Sequence, residues 1–498
     1  MKRSKKWKNL LVGLIMASIA GTSPLAYAEN EITVGAGTEN SPITAENSNV
    51  IESEKIFEFV KYSKAMPNKN LHISFYGMAS FVKDTGKYAT EISQSAGDYV
   101  NLTNDGVINM HFKDMTARYA AELDTAKDTS KKYDGLVGWC MFAGEHSILC
   151  NNGDINIFYD QADANSGNKL LVHAMYVHDN SKMINNGNIN ITGAGSNGTE
   201  IRGMTTEYGK LTIENNGSIF IDVKKSSMAR AFSSLGIGSY MINNGEIYNR
   251  SNCIVFGMLA DVGTRLINNG TVTVISEGQI SQKIAGPTPD YVLESSGAYG
   301  MTYSPTSAGG FNRMINRGKV IAKVQANKNS RPDSVAAGML VMNSRKNPAP
   351  LVLENTGVIE VSSNLKPNEG NNYLVRASEI AVNALVKKWE NTNVQLSTWA
   401  TNLRDFGKKK DFIQARNCSI DFSNAKLILR ADKNYKLGTV YKISPETLIA
   451  PLDGKTLADS NIVVKNFESI TFSADDSKLK VAVKKNSDGS FSVSLISK

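Results

Sequence analysis

Apolar and polar residues alternate with a period of two through most of the middle of the chain, and the alternation is broken eight times by the same short phrase. The phrase is Asn, one variable residue, then Gly. Its asparagines are Asn104, Asn151, Asn185, Asn215, Asn243, Asn268, Asn316 and Asn355, and its glycines are Gly106, Gly153, Gly187, Gly217, Gly245, Gly270, Gly318 and Gly357. Four residues before each glycine the side chain is always apolar, from Leu102 through Met183 and Ile213 to Leu353, and two residues after it stands Ile or Val. The positions just before and just after the glycine accept charge, amide or hydroxyl, as Arg317, Asp154, Glu246, Thr271 and Lys319 illustrate. This pattern predicts two strands, each with one buried face, joined by a tight bend. Glycine is expected there to supply a positive φ, with the Asn amide serving nearby backbone groups.

The glycine spacings of 47, 34, 30, 28, 25, 48 and 39 describe a repeat with variable insertions. Asn-Gly between alternating runs is also the strongest short hairpin signal. Independent hairpins, however, have no reason to keep Asn in one place eight times. Strands stacked about 4.8 Å apart do, because each Asn then lies over the last and an amide ladder forms. The fold class expected is therefore all-β, a right-handed parallel β-helix, or solenoid, with an N-terminal cap and a C-terminal β-rich module.

A second column supports three strands per coil. Upstream of each bend a small residue precedes Met or Phe: Gly77-Met78, Cys140-Met141, Ala174-Met175, Gly203-Met204, Ala231-Phe232, Gly257-Met258, Gly300-Met301 and Gly338-Met339. Methionine is expected to fill core gaps in this column. The alternative is a small residue facing inward and the alternating Met facing out as an apolar stripe, which would mark a contact site. The corner that follows the outgoing strand varies most, and it holds the long insertions at 113–136 and 276–299. Both are expected to project from one side of the stack and to contact a host-cell or bacterial surface ligand.

The ends depart from the repeat. Residues 1–28 read as a secretory signal, with Lys2, Arg3, Lys5, Lys6 and Lys8, an apolar run from Leu10 to Ala20, and Ala26-Tyr27-Ala28 as a small-x-small cleavage site. Removing those five cations lowers the formal charge from +8 to +3, so charge gives no support for nucleic-acid binding. Residues 29–66 are assigned to an N-terminal segment and cap, with Ser53 to Met66 as a short amphipathic helix or strand. Residues 67–393 are assigned to the β-helix. Trp389-Glu390-Asn391-Thr392-Asn393 repeats the frame of Leu353 to Gly357, with Asn393 expected as the next-best tenant of a left-handed bend. Residues 394–498 then read as a closing β-rich module.

Candidate chemistry is sparse. Asp154, Glu214, Asp222 and Glu246 lie on expected strands, but their columns mostly differ and no acidic pair builds up across coils, as a glycosidase would need. His173 and His178 flank the Met175 strand and, five apart, are expected on opposite faces. His72, His111 and His146 are scattered, so no catalytic residue, metal ligand or cofactor is assigned. Cys140 and Cys150 are small fillers whose bonding stays open in an exported chain, and Cys253 and Cys418 have no evident mate.

In its signal segment, serial coils and terminal module, the chain resembles the passenger of a type V autotransporter adhesin from a diderm bacterium, in particular the Asn-rich fusobacterial kind. The resemblance implies a β-helix displayed at the cell surface, or secreted, and the sparse candidate chemistry adds the expectation that it is not an enzyme. The C-terminal translocator barrel of that family is expected to lie outside this chain, since only some 110 residues, rich in Lys and Asp, follow Trp389. The expectations are an outer-membrane translocator on a separate chain, a truncated passenger, or an exported product that stays periplasmic or free. The competing class is a β-helix polysaccharide lyase or glycoside hydrolase.

Overall fold

The computed structural model describes residues 146–498 apart from 161–168, 196–198, 207–208, 227, 235–237, 262, 280–295, 305–311, 332–333, 343–349, 366–376, 385–391, 404–411 and 432–434. Before residue 146 it describes the strands at 43–44, 61–62, 77–82, 87–92, 100–104, 107–113 and 135–143. The signal segment, most of Ser53 to Met66 and the bodies of both long insertions lie outside the described residues.

The chain is a parallel β-helix. A ladder sheet collects the strands that end in the repeated Asn, among them Ile148–Asn151, Lys182–Asn185, Thr212–Asn215, Tyr240–Asn243, Arg265–Asn268 and Arg313–Asn316. An outbound sheet collects the strands that follow the bend, including Asp154–Asp160, Asn188–Ala194, Ser218–Lys224 and Glu246–Ser251. A methionine sheet collects Gly135–Ala143, Lys169–Val177, Thr199–Thr206, Met228–Ser234, Ile254–Asp261, Gly297–Ser304, Val335–Val341 and Ala377–Val382. Register is set by the period-two pattern, because a slip of one residue would turn every Ile column outward. Accordingly, Met183 pairs with Ile213, Ile213 with Met241, and Ile189 with Ile219, all fully buried.

The methionine column faces the core. Met141, Met175, Met204, Met258, Met301 and Met339 are 0% exposed, as is Phe232 in the same column. So is the adjacent small residue where it is Ala174 or Ala231, which strict alternation forbids. The pairing explains it: His173 pairs with Arg202 and Met175 with Met204, while the small residue between them is skipped. A kink at this point lets two consecutive residues point inward, so the exposed-stripe alternative does not occur. At Gly257 and Gly338 a Cβ would lie 2.4 Å from Val272 Cγ1 and 2.3 Å from Ile359 Cγ2, side chains of the outbound sheet across the core.

The ends depart from expectation at two places. Gly77–Val82 pairs antiparallel with Lys87–Ile92 and not in the methionine sheet, so Gly77-Met78 is no member of that column. Asn393 is not a bend residue: it lies inside the strand Thr392–Asn402, where Leu351 pairs with Val394 and Leu353 with Leu396. A register shift then sets Trp399 opposite Asn355. The sequence frame at 389–393 is thus a coincidence of composition, displaced from its structural counterpart.

Parallel pairing continues beyond 393. Cys418–Asp421 and Ile462–Lys465 extend the ladder sheet, and Ile413–Ala415 and Ile449–Pro451 extend the methionine sheet. An antiparallel sheet of Tyr441–Ile443, Leu479–Lys485 and Phe491–Ser497 follows, and Phe467 packs between Phe422 and Phe491 with ring centroids 5.4 and 5.9 Å away. Among the described residues no helix is long and apolar enough to cross a membrane, which says nothing of a span built from strands.

Candidate interaction surfaces

Asparagine can both donate and accept through its amide, so stacked copies satisfy one another without water. The eight ladder asparagines do so. Asn104 donates to Asn151, Asn151 to Asn185, Asn185 to Asn215, Asn215 to Asn243, Asn243 to Asn268, Asn268 to Asn316 and Asn316 to Asn355, at 2.7–2.8 Å, and all eight are fully buried. The run stops where Trp399 replaces Asn, and Asn355 Nδ2 turns to the Ala400 carbonyl at 3.0 Å. Arg430 closes the neighbouring bend by donating to the carbonyls of Gly357 and Thr356 at 2.6 and 2.9 Å.

The bend itself differs from the sequence expectation. None of the described bend glycines has a positive φ. Glycine is required because a Cβ would stand 2.0 Å from the carbonyl oxygen of the glycine one coil earlier, as at Gly187, Gly217, Gly245, Gly270, Gly318 and Gly357. The close approach follows from the hydrogen bonds: Asn186 N and Gly187 N both donate to the Asn151 carbonyl, at 2.7 and 3.0 Å. Positive φ occurs instead at His146, Asn180, Lys210, Gly238 and Gly263, at the corner that leads from the methionine sheet to the ladder sheet.

A second, exposed ladder runs beside the first. It uses the middle residue of each NNG: Asn186 donates to Asn152, Asn216 to Asn186, Asn244 to Asn216 and Asn269 to Asn244, at 2.8–3.0 Å. Its donors point toward the N-terminal coil, opposite to those of the inner ladder. Over all eight bends this position varies freely, but five successive bends, from Asn152 to Asn269, fill it with asparagine.

The candidate carboxylates do not converge. Glu214 lies on the ladder sheet, 3.6 Å from Lys182, and Asp222 lies on the outbound sheet, 4.0 Å from Arg250. Asp154 accepts from Asn188 at 2.8 Å. Glu246 stands in the same column as Asp154 but three coils on, roughly 14 Å away at the strand spacing. That separation exceeds the reach of a paired-carboxylate mechanism.

Polar chemistry gathers instead on the outer face of the methionine sheet. The kink at Ala174 slips the alternation by one, so His173 and His178 share a face, in contrast to the expectation. The Tyr176 ring lies edge-on to both, at centroid distances of 5.0 and 5.4 Å. Arg202 pairs in register with His173, and Arg230 with Arg202. The Arg202 guanidinium sits 3.1 Å from Glu200, and Arg230 Nε contacts Met228 Sδ at 2.7 Å. Burial, followed by the charges of Arg202 and Arg230, holds the His173 imidazole well below its ordinary pKa, so it is neutral at pH 7. Two guanidinium groups beside a neutral imidazole favour an anion, but His173 and Arg202 are only 2% and 7% exposed and already engaged. His173, Arg202 and Arg230 each stand directly before the small residue of the methionine column on three successive coils, which was the available signal, whereas Glu200 lies in another column and repeats nowhere.

The remaining groups offer little reactivity. Burial raises the Cys418 thiol to about 12, and burial together with Glu277 raises Cys253 to about 12. Cys150 Sγ contacts the outer ladder, 3.3 Å from Asn152 Oδ1 and 3.7 Å from Asn186 Nδ2. Among the described residues no three His, Cys, Asp or Glu side chains group as a metal site. The strands bounding the two long insertions are Val107–Lys113 with Gly135–Ala143 and Thr271–Ser276 with Gly297–Ser304, so both insertions join the outbound to the methionine sheet at the same corner.

Stacked amide and aliphatic columns on three parallel sheets define a pectate lyase-like β-helix as the class. Residues 100–383, more than half of the chain, match the model of the BigA third pectate lyase-like domain, and the chain belongs to that family. The match opens on the strand that carries Asn104 and ends at Asn383, whose buried amide ties the helix to the carbonyls of Arg416 and Asn417 at 2.8 and 2.9 Å. Neither the curated proteins nor the solved structures contain a match.

Proposed function

We propose that the chain is an adhesin-like, surface-displayed or secreted rod, in which the coils supply rigidity and the insertions at 113–136 and 276–299 supply contact. The observation that carries this reading is that the repeated polar residues are consumed by stacking: the inner asparagines bond one another and leave no amide for a ligand. Membership in a family named for a domain of BigA supports the surface reading, as does the signal-like segment at 1–28. An autotransporter-type passenger whose translocator lies on a separate chain is the finer form of the proposal.

The test is adhesion of cells that display the full chain, compared with cells displaying a chain whose two insertions are replaced by short linkers. Loss of adhesion with the fold retained, judged by far-ultraviolet circular dichroism, is expected. Unchanged adhesion would move the contact to the coil faces. A second reading, a polysaccharide lyase or hydrolase, is favoured by the cluster of His173, Arg202 and Arg230 on one sheet face. Release of unsaturated sugars or reducing ends from an acidic polysaccharide, abolished in His173→Ala, would establish it in place of the adhesin reading.

A further inference from the structure

Five of the six Asn-Gly dipeptides in the chain lie at the bends of the stack, at Asn152, Asn186, Asn216, Asn244 and Asn269. In such a dipeptide the glycine nitrogen, unhindered by a neighbouring Cβ, attacks the Asn Cγ. The new bond forms between that nitrogen and Cγ, the Cγ–Nδ2 bond breaks, and ammonia leaves a succinimide that water reopens to aspartate or isoaspartate. The fold opposes each step. Every attacking nitrogen is tied to the preceding coil, as in Gly217 N to Asn185 O and Gly270 N to Asn243 O, both 3.0 Å. Every target amide is held in the outer ladder.

That hold is unequal along the stack. Asn186, Asn216 and Asn244 each donate to the coil before and accept from the coil after. Asn269 donates to Asn244 at 2.8 Å, but Arg317 occupies the slot above it, and among the described residues no donor reaches Asn269 Oδ1. Its side chain is restrained from one side only. An aspartate at 269 has no proton to give, so Asn244 Oδ1 would lose its donor and Asn244 would inherit the condition of Asn269.

We infer that the outer ladder is a directional modification track: Asn269 loses ammonia first, and the conversion then advances toward the N-terminus through Asn244, Asn216 and Asn186. Each step places a carboxylate on the exposed bend edge and uncovers the next amide. The polarity of the ladder sets the direction.

The experiment incubates the folded full chain in heavy-oxygen water at mildly alkaline pH and follows each site by peptide mapping. Asn269 is expected to convert roughly fivefold faster than Asn186, Asn216 or Asn244, the change in open population that one net hydrogen bond supplies. Asn269→Asp is expected to raise the rate at Asn244 by about the same factor and to leave Asn186 unchanged. Arg317→Asn, which extends the ladder by one rung, is expected to slow Asn269 and to shift the starting point to the substituted position. In denaturant all five sites should convert at similar rates, which separates the effect of fold from that of local sequence. Equal rates in the folded chain, or an Asn244 rate indifferent to Asn269→Asp, would overturn the inference.

Discussion

Asn215 and Asn216 are neighbours in sequence with the same side chain, yet one is fully buried and the other exposed, and the structure separates their contributions. Asn215 accepts from Asn185 and donates to Asn243, both at 2.8 Å, so Asn215→Ala takes the acceptor from one Asn185 N–H and the donor from Asn243 Oδ1, both buried. The expected loss is about 2–4 kcal/mol by urea unfolding. Asn216→Ala removes two exposed bonds and should cost less than about 1 kcal/mol in the same measurement. A second residue-scale expectation concerns acid. Because the folded state holds His173 neutral, the unfolded chain binds more protons once the pH falls below the ordinary value of 6.5. Stability is therefore fully present above that value and declines as the pH is lowered through the window beneath it, by up to about 1.4 kcal/mol per pH unit. The urea midpoint at pH 7.5 and at about pH 5.5 should diverge less for His173→Gln than for the parent chain. The glycines show how far single residues could be read: their position was legible from the repeat, but not their reason. The repeat reports that no side chain fits. Only the stacked backbone tells a forbidden Cβ from a left-handed φ, and the corner from the methionine to the ladder sheet, where positive φ recurs, fills it with His, Asn, Lys and Gly, leaving no pattern to see.

At the scale of the coil, the sequence displayed two of the three strands plainly because the ladder and outbound strands alternate without interruption. The methionine strand was located correctly, but its facing could not be deduced, since the kink breaks the period-two rule on which facing depends. The same kink brought His173 and His178 to one face, beside Arg202 in the neighbouring strand. Coils nonetheless behave as interchangeable units, because each contacts its neighbours through matched columns. Deleting residues 216–243 would join Asn215 to Asn244 and stack Thr212–Asn215 beneath Arg265–Asn268 in the original register. This shortened chain is expected to fold cooperatively and to retain a β-rich circular dichroism spectrum. A deletion of half that length, which splits a coil, should yield an insoluble or unfolded product.

At the scale of the molecule, a stack of coils has two open ends, and how each is closed decides whether rods remain separate. The C-terminal end is closed by side chains that interrupt the repeat. Trp399 takes the ladder slot, its indole nitrogen donating to Glu379 at 2.6 Å, while Arg430 caps the last bend and Phe422, Phe467 and Phe491 cover the core. These residues belong to no periodic pattern, which is why the sequence reported a β-rich module and not a cap continuous with the helix. The family match, by contrast, stops at Asn383, before this closure. If closure and not only coil number keeps the rod soluble, a chain ending at Asn383 should retain parallel coils yet expose Leu353, Ile380 and the free amide of Asn355 at its tip. It is expected to associate end to end, with an elution volume in size-exclusion chromatography that falls as concentration rises, and to melt below the full chain. A monomer at every concentration with an unchanged melting temperature would show that the coils close themselves, and that residues beyond 383 serve some purpose other than protecting the stack.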